Sequence, residues 1–325
     1  MARKVVVNEC GGSEQLKLSE FAPQSPGSGE VLIKHEAIGL NYIDVYFRTG
    51  LYPAPQLPFT LGFEGSGVIE AVGEGVSDFA VGDEIAYAGG PLGAYATHRV
   101  IPADRIVKKP ANISFETAAA MMLKGMTAQY LLRQTYNVKP GDHILFHAAA
   151  GGVGLIACQW AKHLGATVIG TVGSEEKAEL ARAHGCDHPI LYRHEDVAAR
   201  VREITDGKGV PVVYDSIGKD TLDVSLDSLA LRGLMVSFGN ASGPITDFNL
   251  GVLSQKGSLY ITRPTLFSYI PDRASLDRCS SELFDVVANG HVNIEINQRF
   301  DLDDVVAAHD ALEGRQTTGS TILLP

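Results

Sequence analysis

The chain has 325 residues, of which 45% are hydrophobic and 20% are charged, a composition typical of a globular protein and not of a disordered one. At roughly 150 residues per domain, this length predicts about two domains. The 27 basic and 38 acidic residues give a formal net charge of −11, which repels phosphate backbones and argues against nucleic acid as the main partner.

The cysteines argue against a metal or disulfide scaffold. Cys10, Cys158, Cys186 and Cys279 lie far apart and form no Cys-x-x-Cys pair or Cys/His cluster with metal-ligand spacing. The N-terminal apolar run ends after three valines, which is too short for a secretory signal. No apolar window reaches the ~20 residues that cross a bilayer. We therefore expect a cytoplasmic protein without a membrane span.

The beginning of the chain predicts a β-rich, antiparallel domain. Over roughly the first 125 residues, short alternating strands at 31–35, 65–72 and 83–87 are separated by glycine- and proline-rich turns. A helical stretch follows at about 114–136, and strands and helices then alternate to about residue 264. Such alternation indicates a parallel sheet with crossover helices, so the fold class is α/β.

The tail after Pro264 has its own pattern. It predicts helices at about 274–289 and 302–313, followed by the apolar strand Ser320–Leu324. We expect this tail to return to the first, β-rich domain.

A glycine-rich turn follows the apolar strand at 143–147 and opens a helix. The apolar positions of this helix recur at helical spacing and form one stripe, namely Val153, Ile156, Ala157, Trp160, Ala161 and Leu164. Gly165 ends the helix, and a second strand follows at 167–172. The glycines therefore lie at the first turn of a βαβ unit, where dinucleotide-binding proteins hold the pyrophosphate.

The glycines of this turn have distinct expected roles. Gly151 lets the backbone approach a pyrophosphate, and Gly154 lets the helix pack closely against the strands. The helix N-terminus adds unpaired N–H groups and the positive end of a dipole. Ala149 stands where the fingerprint has its first glycine, so the alternative is a turn that serves only helix packing.

The end of the second strand bears on the choice of cofactor. About 20 residues after the loop, NAD-binding proteins place an acidic residue against the ribose hydroxyls. Here the strand ends in Val172-Gly173-Ser174, and Lys177, one turn later, can meet a 2′-phosphate. Glu175 and Glu176 follow a Ser174 N-cap, where acidic residues suit the helix dipole. We therefore predict NADPH.

The chain resembles the zinc-free quinone oxidoreductases of the medium-chain dehydrogenase/reductase superfamily, a family that includes the zeta-crystallins. The resemblance is carried by the segments at 37–44, 58–67 (PFTLGFEGSG), 81–83, 147–162 (HAAAGGVGLIACQWAK), 213–216, 237–240 and 256–259. It implies a GroES-like domain formed by residues 1–125 and 265–325, and a Rossmann NADPH-binding domain formed by residues 126–264.

The same resemblance implies that the protein holds no metal. Zinc-dependent relatives have a cysteine near Asn41 and a histidine near Phe63, and this chain has neither. Without a Lewis acid, oxidation of an alcohol is difficult, whereas hydride delivery to an electrophilic acceptor stays feasible. A quinone is such an acceptor, and its developing oxyanion needs only hydrogen-bond donors. The expected activity is that of an NADPH:quinone oxidoreductase.

Site residues are assigned from the resemblance. The candidate catalytic donors are Asn41, Tyr46, Tyr52 and Lys124. The predicted cofactor contacts are Asn41, Tyr46, Thr127, Tyr130, Gly151, Gly152, Val153, Gly154, Gly173, Ser174, Lys177, Tyr192, Ser216, Ile217, Phe238, Gly239, Asn240, Arg263 and Arg315. Those at 216–217 and 238–240 fall at strand ends, where a doubly wound sheet presents ligands.

Several of these residues also have purely structural interpretations. The rings of Tyr46 and Tyr52 could pack a turn, and Arg315 could be a solvated surface charge. Asp44 is interpreted as a capping or supporting group, and His147 as a hydrogen-bonded interior histidine. Met121 and Met122 are interpreted as core packing.

Two further functions and one assembly are considered. The same hydride geometry would serve an NADPH-dependent reductase of α,β-unsaturated carbonyls. A structural or RNA-binding role, as in crystallin relatives, is opposed by the charge of −11 and the absence of a basic patch with interleaved aromatic residues. The segment at 258–262 predicts an apolar, exposed edge strand that pairs with a twofold copy, so we expect a homodimer.

Overall fold

The computed structural model describes residues 1–54 and 56–325, and these residues form two compact units. The first unit comprises Met1–Met126, Ile270–Ala288 and Ile294–Pro325, and the second comprises Thr127–Tyr269 and Asn289–Asn293. Each unit has its own hydrophobic core.

The described residues form sixteen strands. In chain order they are β1 (Ala2–Val7), β2 (Leu16–Phe21), β3 (Glu30–Leu40), β4 (Phe59–Thr60), β5 (Glu64–Val72), β6 (Glu84–Ala88), β7 (His98–Pro102), β8 (Val107–Lys108), β9 (His143–Phe146), β10 (Thr167–Val172), β11 (His188–Leu191), β12 (Val210–Asp215), β13 (Leu229–Ser237), β14 (Tyr260–Thr262), β15 (Ile296–Asp301) and β16 (Ser320–Leu324).

The described residues also form ten α-helices. They are α1 (Tyr42–Thr49), α2 (Phe115–Tyr130), α3 (Gly152–His163), α4 (Glu175–Ala183), α5 (Val197–Ile204), α6 (Leu222–Ser228), α7 (Gly251–Gln255), α8 (Leu266–Tyr269), α9 (Arg273–Ala288) and α10 (Val305–Glu313). The predicted helix at 114–136 is thus α2 followed by a π-helical turn at Leu131–Thr135.

The first unit is built on a largely antiparallel sheet in the order β15-β16-β3-β5-β6-β8, with β7 also paired to β3. A smaller sheet has the order β2-β1-β4. The prediction that the tail returns to this domain is confirmed, because β16 pairs antiparallel with β3 and places Ile322 opposite Gly39. The predicted final strand at 320–324 is confirmed as β16.

The second unit is a parallel sheet in the order β11-β10-β9-β12-β13-β14. The chain moves outward from β9 through β10 to β11, and then crosses to β12 on the other side of β9. The strand order therefore reverses between β9 and β12, which is where a doubly wound sheet binds its ligand. The predicted α/β alternation is confirmed.

Contacts within the second unit explain which residues belong to it. The sequence placed the second boundary after residue 264, whereas the structure places it after Tyr269. Tyr269, at the end of α8, stacks on Tyr130 with ring centroids 4.4 Å apart and planes 13° apart. The segment 289–293 also belongs to the second unit, because the Gln159 amide donates to the Asn293 carbonyl at 3.0 Å and accepts from its N–H at 2.9 Å.

One strand is shorter than the sequence predicts. The apolar segment at 258–262 forms β14 only from Tyr260 onward. Gly257 (φ +116°) and Ser258 (φ +54°) take left-handed conformations, and these two residues make the turn out of α7 before the strand begins. The strand still ends the sheet, as predicted, and Tyr260 is 56% exposed on that edge.

Candidate active site

The glycine-rich turn between β9 and α3 is built for close backbone approach. Ala148 takes the left-handed conformation (φ +56°), and its carbonyl accepts the Gly151 N–H at 2.9 Å. A Cβ at Gly154 would lie 2.4 Å from that same carbonyl, so only glycine fits there. The sequence predicted packing of Gly154 against the strands; the structure instead places the turn against it. The first N–H groups of α3, at Gly152 and Val153, lack helical partners and can receive an anion.

The end of β10 leads directly into α4, as the sequence predicted. The Ser174 side chain accepts the Lys177 N–H at 3.3 Å and caps the helix, so the predicted N-cap is confirmed. Glu175 and Glu176 lie in the first turn. Tyr192, which follows β11, is 45% exposed, and a Cβ at Gly173 would lie 3.1 Å from its hydroxyl.

Six more predicted cofactor contacts of this unit follow β12, β13 and β14 at the same carboxyl edge. A Cβ at Gly239 would lie 2.3 Å from the Ser216 carbonyl, so these two loops touch through backbone. The Arg263 guanidinium donates to the Ser237 carbonyl at 2.9 Å and to the Asn240 side-chain oxygen at 3.1 Å. The ring of Phe238 packs against Phe146, with centroids 5.8 Å apart. Ile217 is half-buried beside Ser216.

A buried hydrogen-bond chain runs beneath this edge. The Asp215 carboxylate accepts the Ser225 hydroxyl at 2.6 Å, so the Ser225 oxygen accepts from His147 Nε2 at 3.0 Å. His147 Nδ1 then accepts the Thr171 hydroxyl at 2.9 Å, and Thr171 accepts the Ala148 N–H at 3.3 Å. Burial lowers the pKa of His147, in keeping with a neutral ring. The prediction of a hydrogen-bonded interior histidine is confirmed.

The predicted cofactor contacts also include Thr127, Tyr130 and Arg315, which do not follow strands of this sheet. Thr127 and Tyr130 are on the last turns of α2, and Tyr130 is buried against Tyr269. Arg315 belongs to the first unit and is an exposed residue with φ +59°, just beyond α10. Its charge acts on Tyr42, where burial nevertheless raises the pKa of the phenol.

The first unit joins two of the predicted catalytic residues through a carboxylate. Glu64, fully buried at the start of β5, accepts the Asn41 amide at 2.7 Å on Oε2 and the Leu123 N–H at 2.7 Å on Oε1. Lys124 Nζ lies 3.5 Å from Oε2 and donates to the Leu40 carbonyl at 3.2 Å. Glu64 thus holds two donors side by side. We call Asn41, Glu64 and Lys124 the donor cluster.

Tyr46 and Tyr52 form an aromatic pair at α1, the helix that Asn41 caps. Their ring centroids are 5.1 Å apart, and Phe47 meets Tyr52 edge-on at 5.7 Å. The Tyr52 N–H donates to the Tyr46 carbonyl at 3.0 Å. The rings therefore do pack the turn after α1, and whether their hydroxyls also reach a ligand stays a prediction.

Asp44 is a fully buried cap of α1. Its Oδ2 accepts the Asn41 N–H at 2.9 Å and the Tyr95 hydroxyl at 2.9 Å, whereas Oδ1 has no hydrogen-bond partner among the described residues. Burial, which outweighs these two hydrogen bonds, raises the pKa of Asp44 to about 7. The predicted capping role is confirmed.

Sequence reasoning missed three residues of this region, namely Glu64, Tyr95 and His309. Features of the sequence could have pointed to two of them, Glu64 and His309. Glu64 is a carboxylate at the start of a glycine-rich strand, and His309 falls on the buried stripe of α10 with Val305 and Ala308. Met121 and Met122 are fully buried, as predicted.

Neither a metal cluster nor a membrane helix is found in the described part of the chain. Residues 1–54 and 56–325 contain no group of three or more His, Cys, Asp or Glu side chains arranged to hold a metal ion. Within the same residues, none of the helices combines the length and apolar character that a bilayer span requires.

Comparisons with known proteins agree with this architecture. Residues 27–111 match the family model of the alcohol dehydrogenase GroES-like domain, and residues 152–270 match that of the zinc-binding dehydrogenases. The chain is 58% identical to a quinone oxidoreductase from Pseudomonas aeruginosa, over 100% of both chains. It is 49% identical to a 2-haloacrylate reductase from a Burkholderia species, over 100% of this chain and 99% of the relative.

A solved structure gives the same result. The quinone oxidoreductase of Escherichia coli, crystallised with NADPH, superimposes with a TM-score of 0.98 at 51% identity, covering 99% of this chain and 100% of that one.

Proposed function

The chain belongs to the quinone oxidoreductase family of the medium-chain dehydrogenase/reductase superfamily, and we propose that it reduces a quinone with NADPH. The carrying observation is the turn at 148–154, where a Cβ at Gly154 cannot be accommodated at the mouth of α3. Together with the unpaired N–H groups at the start of α3, this tight turn would cradle a phosphate, in a chain whose relatives at 52–58% identity are quinone oxidoreductases.

The cofactor would be held along the carboxyl edge of the second unit's sheet. The N–H groups of Gly152 and Val153 would receive the pyrophosphate, with Gly151 allowing close approach. Ser174 and Lys177, with Gly173 and Tyr192 beside them, would hold the adenosine phosphate. The other proposed contacts are Thr127, Tyr130, Ser216, Ile217, Phe238, Gly239, Asn240, Arg263 and, from the first unit, Asn41, Tyr46 and Arg315.

Lys177 is central to the preference for NADPH over NADH. The tip of β10, at Val172 to Ser174, carries no carboxylate that could bind ribose hydroxyls. The Ser174 cap holds the Lys177 backbone in the first turn of α4, and from there its ammonium can meet a 2′-phosphate.

When bound, NADPH supplies the hydride. The donor cluster of the first unit would stabilise the oxyanion that develops on a quinone oxygen. Asn41 and Lys124 can do so because each keeps an N–H beyond those bonded to Glu64 and Leu40. Glu64 orients both donors through Oε2, and the Leu123 N–H holds its other oxygen, Oε1, in place. Tyr46 and Tyr52 are proposed as further donors that also line the site with aromatic surface.

The cofactor assignment is tested by titrating the protein with NADPH and NADH. For Lys177→Ala we expect at least a tenfold loss of NADPH affinity, since a hydrogen bond to a charged group contributes about 1.5–3 kcal/mol. NADH affinity should stay unchanged, and so should NADPH affinity in Lys208→Ala, an exposed lysine of the same unit. Equal loss for both nucleotides would contradict the role of Lys177.

The reaction itself is tested by adding a simple benzoquinone to the NADPH complex and following cofactor oxidation. Glu64→Gln should lower kcat about tenfold or more, because its single amide oxygen cannot accept from the Leu123 N–H and also from Asn41 and Lys124. NADPH binding without any quinone-dependent oxidation would overturn the proposal.

A second candidate is the reduction of α,β-unsaturated carbonyl compounds. The observation in its favour is the 49% identity to a 2-haloacrylate reductase over the full length. Both reactions place negative charge on an oxygen, so the same donors would serve. Turnover of a benzoquinone, an enone and 2-chloroacrylate under the same conditions separates the two, and activity on the latter two alone would reverse the ranking. The structural or RNA-binding role keeps no supporting observation.

We further propose that the protein is a homodimer paired through β14. This strand ends the parallel sheet among the described residues, and Tyr260 and the neighbouring Leu231 are 56% and 82% exposed. Sedimentation velocity at micromolar concentration should give a dimer, and Tyr260→Asp should give a monomer. A monomeric wild type would contradict the pairing. A cytoplasmic location stays a prediction, which cell fractionation tests.

A further inference from the structure

A second buried hydrogen-bond chain lies in the first unit and runs from the surface to Asp44. Glu313 pairs with Arg48 at 2.7 Å, and Arg48 Nη1 lies 3.1 Å from His309 Nδ1. His309 Nε2 lies 3.1 Å from the Tyr95 hydroxyl, which donates to Asp44 Oδ2 at 2.9 Å. All but Glu313 are buried.

The direction of every bond in this chain follows from one residue. A guanidinium can only donate, so His309 Nδ1 is an acceptor. A neutral His309 then carries its proton on Nε2 and donates to the Tyr95 oxygen. The Tyr95 proton is therefore left for Asp44. Burial and the adjacent Arg48 lower the pKa of His309 to about 3, and burial raises the pKa of Tyr95 well above its usual value. Both groups thus keep one protonation state at all working pH values.

The chain also decides where a proton on Asp44 must lie. Oδ2 already accepts two hydrogen bonds, from Tyr95 and from the Asn41 backbone, whereas Oδ1 accepts none from the described residues. A protonated Asp44 therefore carries its proton on Oδ1. The ionised form would place a second negative charge near Glu64, in the region where Asn41 and Lys124 must favour negative charge on the substrate.

We propose that Tyr95 and His309 are positioning residues for the reduction, forming with Arg48 a hydrogen-bond chain of fixed direction that holds the Asp44 carboxyl group against the Asn41 N–H and sets the balance between its neutral and ionised forms. Burial opposes the ionisation of Asp44, and so does the nearby Glu64. The Lys124 ammonium, the Tyr95 hydroxyl and the Asn41 N–H favour it. Because burial raises the pKa of Asp44 to about 7, the reduction should lose activity as the pH rises through this value, by about tenfold per pH unit at the limit.

The first test reads Asp44 directly, without cofactor or substrate. The aspartate carboxyl carbons are labelled with ¹³C and titrated by NMR, and the Asp44 signal is assigned by its loss in Asp44→Asn. We expect a midpoint near 7 in the wild type. Tyr95→Phe removes one bond to the carboxylate and should move the midpoint upward. His309→Gln, in which Tyr95 still donates, should move it less in the same direction.

Tyr87→Phe is the matched control. Tyr87 is an equally buried tyrosine of the same unit whose hydroxyl bonds His35 at 2.7 Å and Arg99 at 3.2 Å, with no bond to Asp44. Tyr87→Phe removes a phenolic hydroxyl from a similarly buried site, as Tyr95→Phe does, so a general loss of packing would affect both variants alike. An Asp44 midpoint that is the same in Tyr95→Phe as in Tyr87→Phe would overturn the proposal, as would a wild-type midpoint near 4.

The second test rests on the proposed function and uses the pH dependence of kcat for quinone reduction. The alkaline limb should have the midpoint found by NMR and move upward in Tyr95→Phe, so that this variant loses a smaller fraction of its activity between pH 7 and 9 than the wild type does. An unmoved limb together with a moved NMR midpoint would overturn the link to catalysis. A protein with the expected NMR titration but no quinone turnover would refute the proposed function and leave the chain's structure intact.

Discussion

The two units each bury an aspartate at the end of a hydrogen-bond chain that passes through a histidine, but the two carboxyl groups receive different numbers of donors. Asp215 accepts four: the N–H groups of Ile217 and Gly218 on Oδ1, and the hydroxyls of Thr221 and Ser225 on Oδ2. Asp44 accepts two, both on Oδ2.

This difference shows how a fold sets the charge of a buried acid. Four donors satisfy both oxygens of the Asp215 carboxyl group without a cation. For Asp44, two donors leave Oδ1 bare, burial dominates, and the pKa rises to about 7. The histidines are alike in both chains, each neutral and bonded at both ring nitrogens.

The largest expected effect on stability comes from removing the Asp215 carboxyl group, which accepts four hydrogen bonds. Asp215→Ala leaves four donors without their acceptor, two of them backbone groups of the loop that carries Ser216 and Ile217. Each unsatisfied buried group costs about 1–3 kcal/mol, so the free energy of unfolding should fall by about 5 kcal/mol. Urea unfolding measures it, with the exposed Asp220→Ala as control. A loss below about 1 kcal/mol would contradict the comparison.

Asp44 should behave in the opposite way as the pH rises. Its pKa increases from 3.8 to about 7 on folding, so the folded state binds the proton more tightly and the protein loses stability from about pH 4 to pH 7, by about 4 kcal/mol in total. Asp44→Asn lacks this loss. The difference in unfolding free energy between variant and wild type should therefore grow by about that amount between pH 4 and pH 8.

Urea unfolding at several pH values measures this growth. Asp301→Asn, at an exposed residue of the same unit, controls for the general effect of removing a carboxylate. Parallel pH curves for wild type and Asp44→Asn would show that folding does not raise the pKa of Asp44.

The position of Tyr95, which donates to Asp44, depends on Gly62. At Gly62 (φ +96°) a Cβ would lie 2.5 Å from the ring of Tyr95, whereas at Gly82 (φ +91°) it would meet nothing within 4 Å. Gly82→Ala should cost only the backbone strain, about 1–2 kcal/mol, and Gly62→Ala about 3 kcal/mol or more because the Tyr95 ring must also move. Thermal unfolding of both variants checks this. Equal losses would mean that Tyr95 relocates freely.

The smallest effect is expected at Thr171, at one end of the hydrogen-bond chain that passes through His147 in the second unit. Thr171→Val removes the hydroxyl between the Ala148 N–H and His147, which should cost about 1 kcal/mol, since one neutral hydrogen bond is lost on each side. NADPH affinity should fall by about two- to fivefold, because the phosphate turn is less firmly held. Thr167→Val, on the same strand, serves as the control. An identical response of both variants would indicate that the chain does not support the turn.

Much of the nucleotide edge could be predicted because its determinants are neighbours in sequence. The Gly151–Gly154 turn, the Ser174 cap and the strand at 167–172 each follow from a few adjacent residues, and the structure has them where the pattern predicts. The errors in this unit are also local: β14 begins two residues late because Gly257 and Ser258 adopt left-handed conformations.

The first unit's site could be predicted only in part. Asn41 and Lys124 were named from the family resemblance, but the carboxylate that joins them was not, since Glu64 is 23 residues from one and 60 from the other. Tyr95 and His309 are 214 residues apart. Their hydrogen bond depends on strand register and helix placement, to which no local periodicity refers.

The sequence by itself determined the α/β class, the order of the elements, the phosphate turn and the absence of a carboxylate at the tip of β10, because each depends on residue type and short-range spacing. The tertiary structure alone decided which polar side chains meet within the cores, and hence which buried aspartate accepts four hydrogen bonds and which accepts two. A side-chain hydrogen bond forms only when two atoms come within about 3 Å, and that distance is fixed by the packing of whole elements.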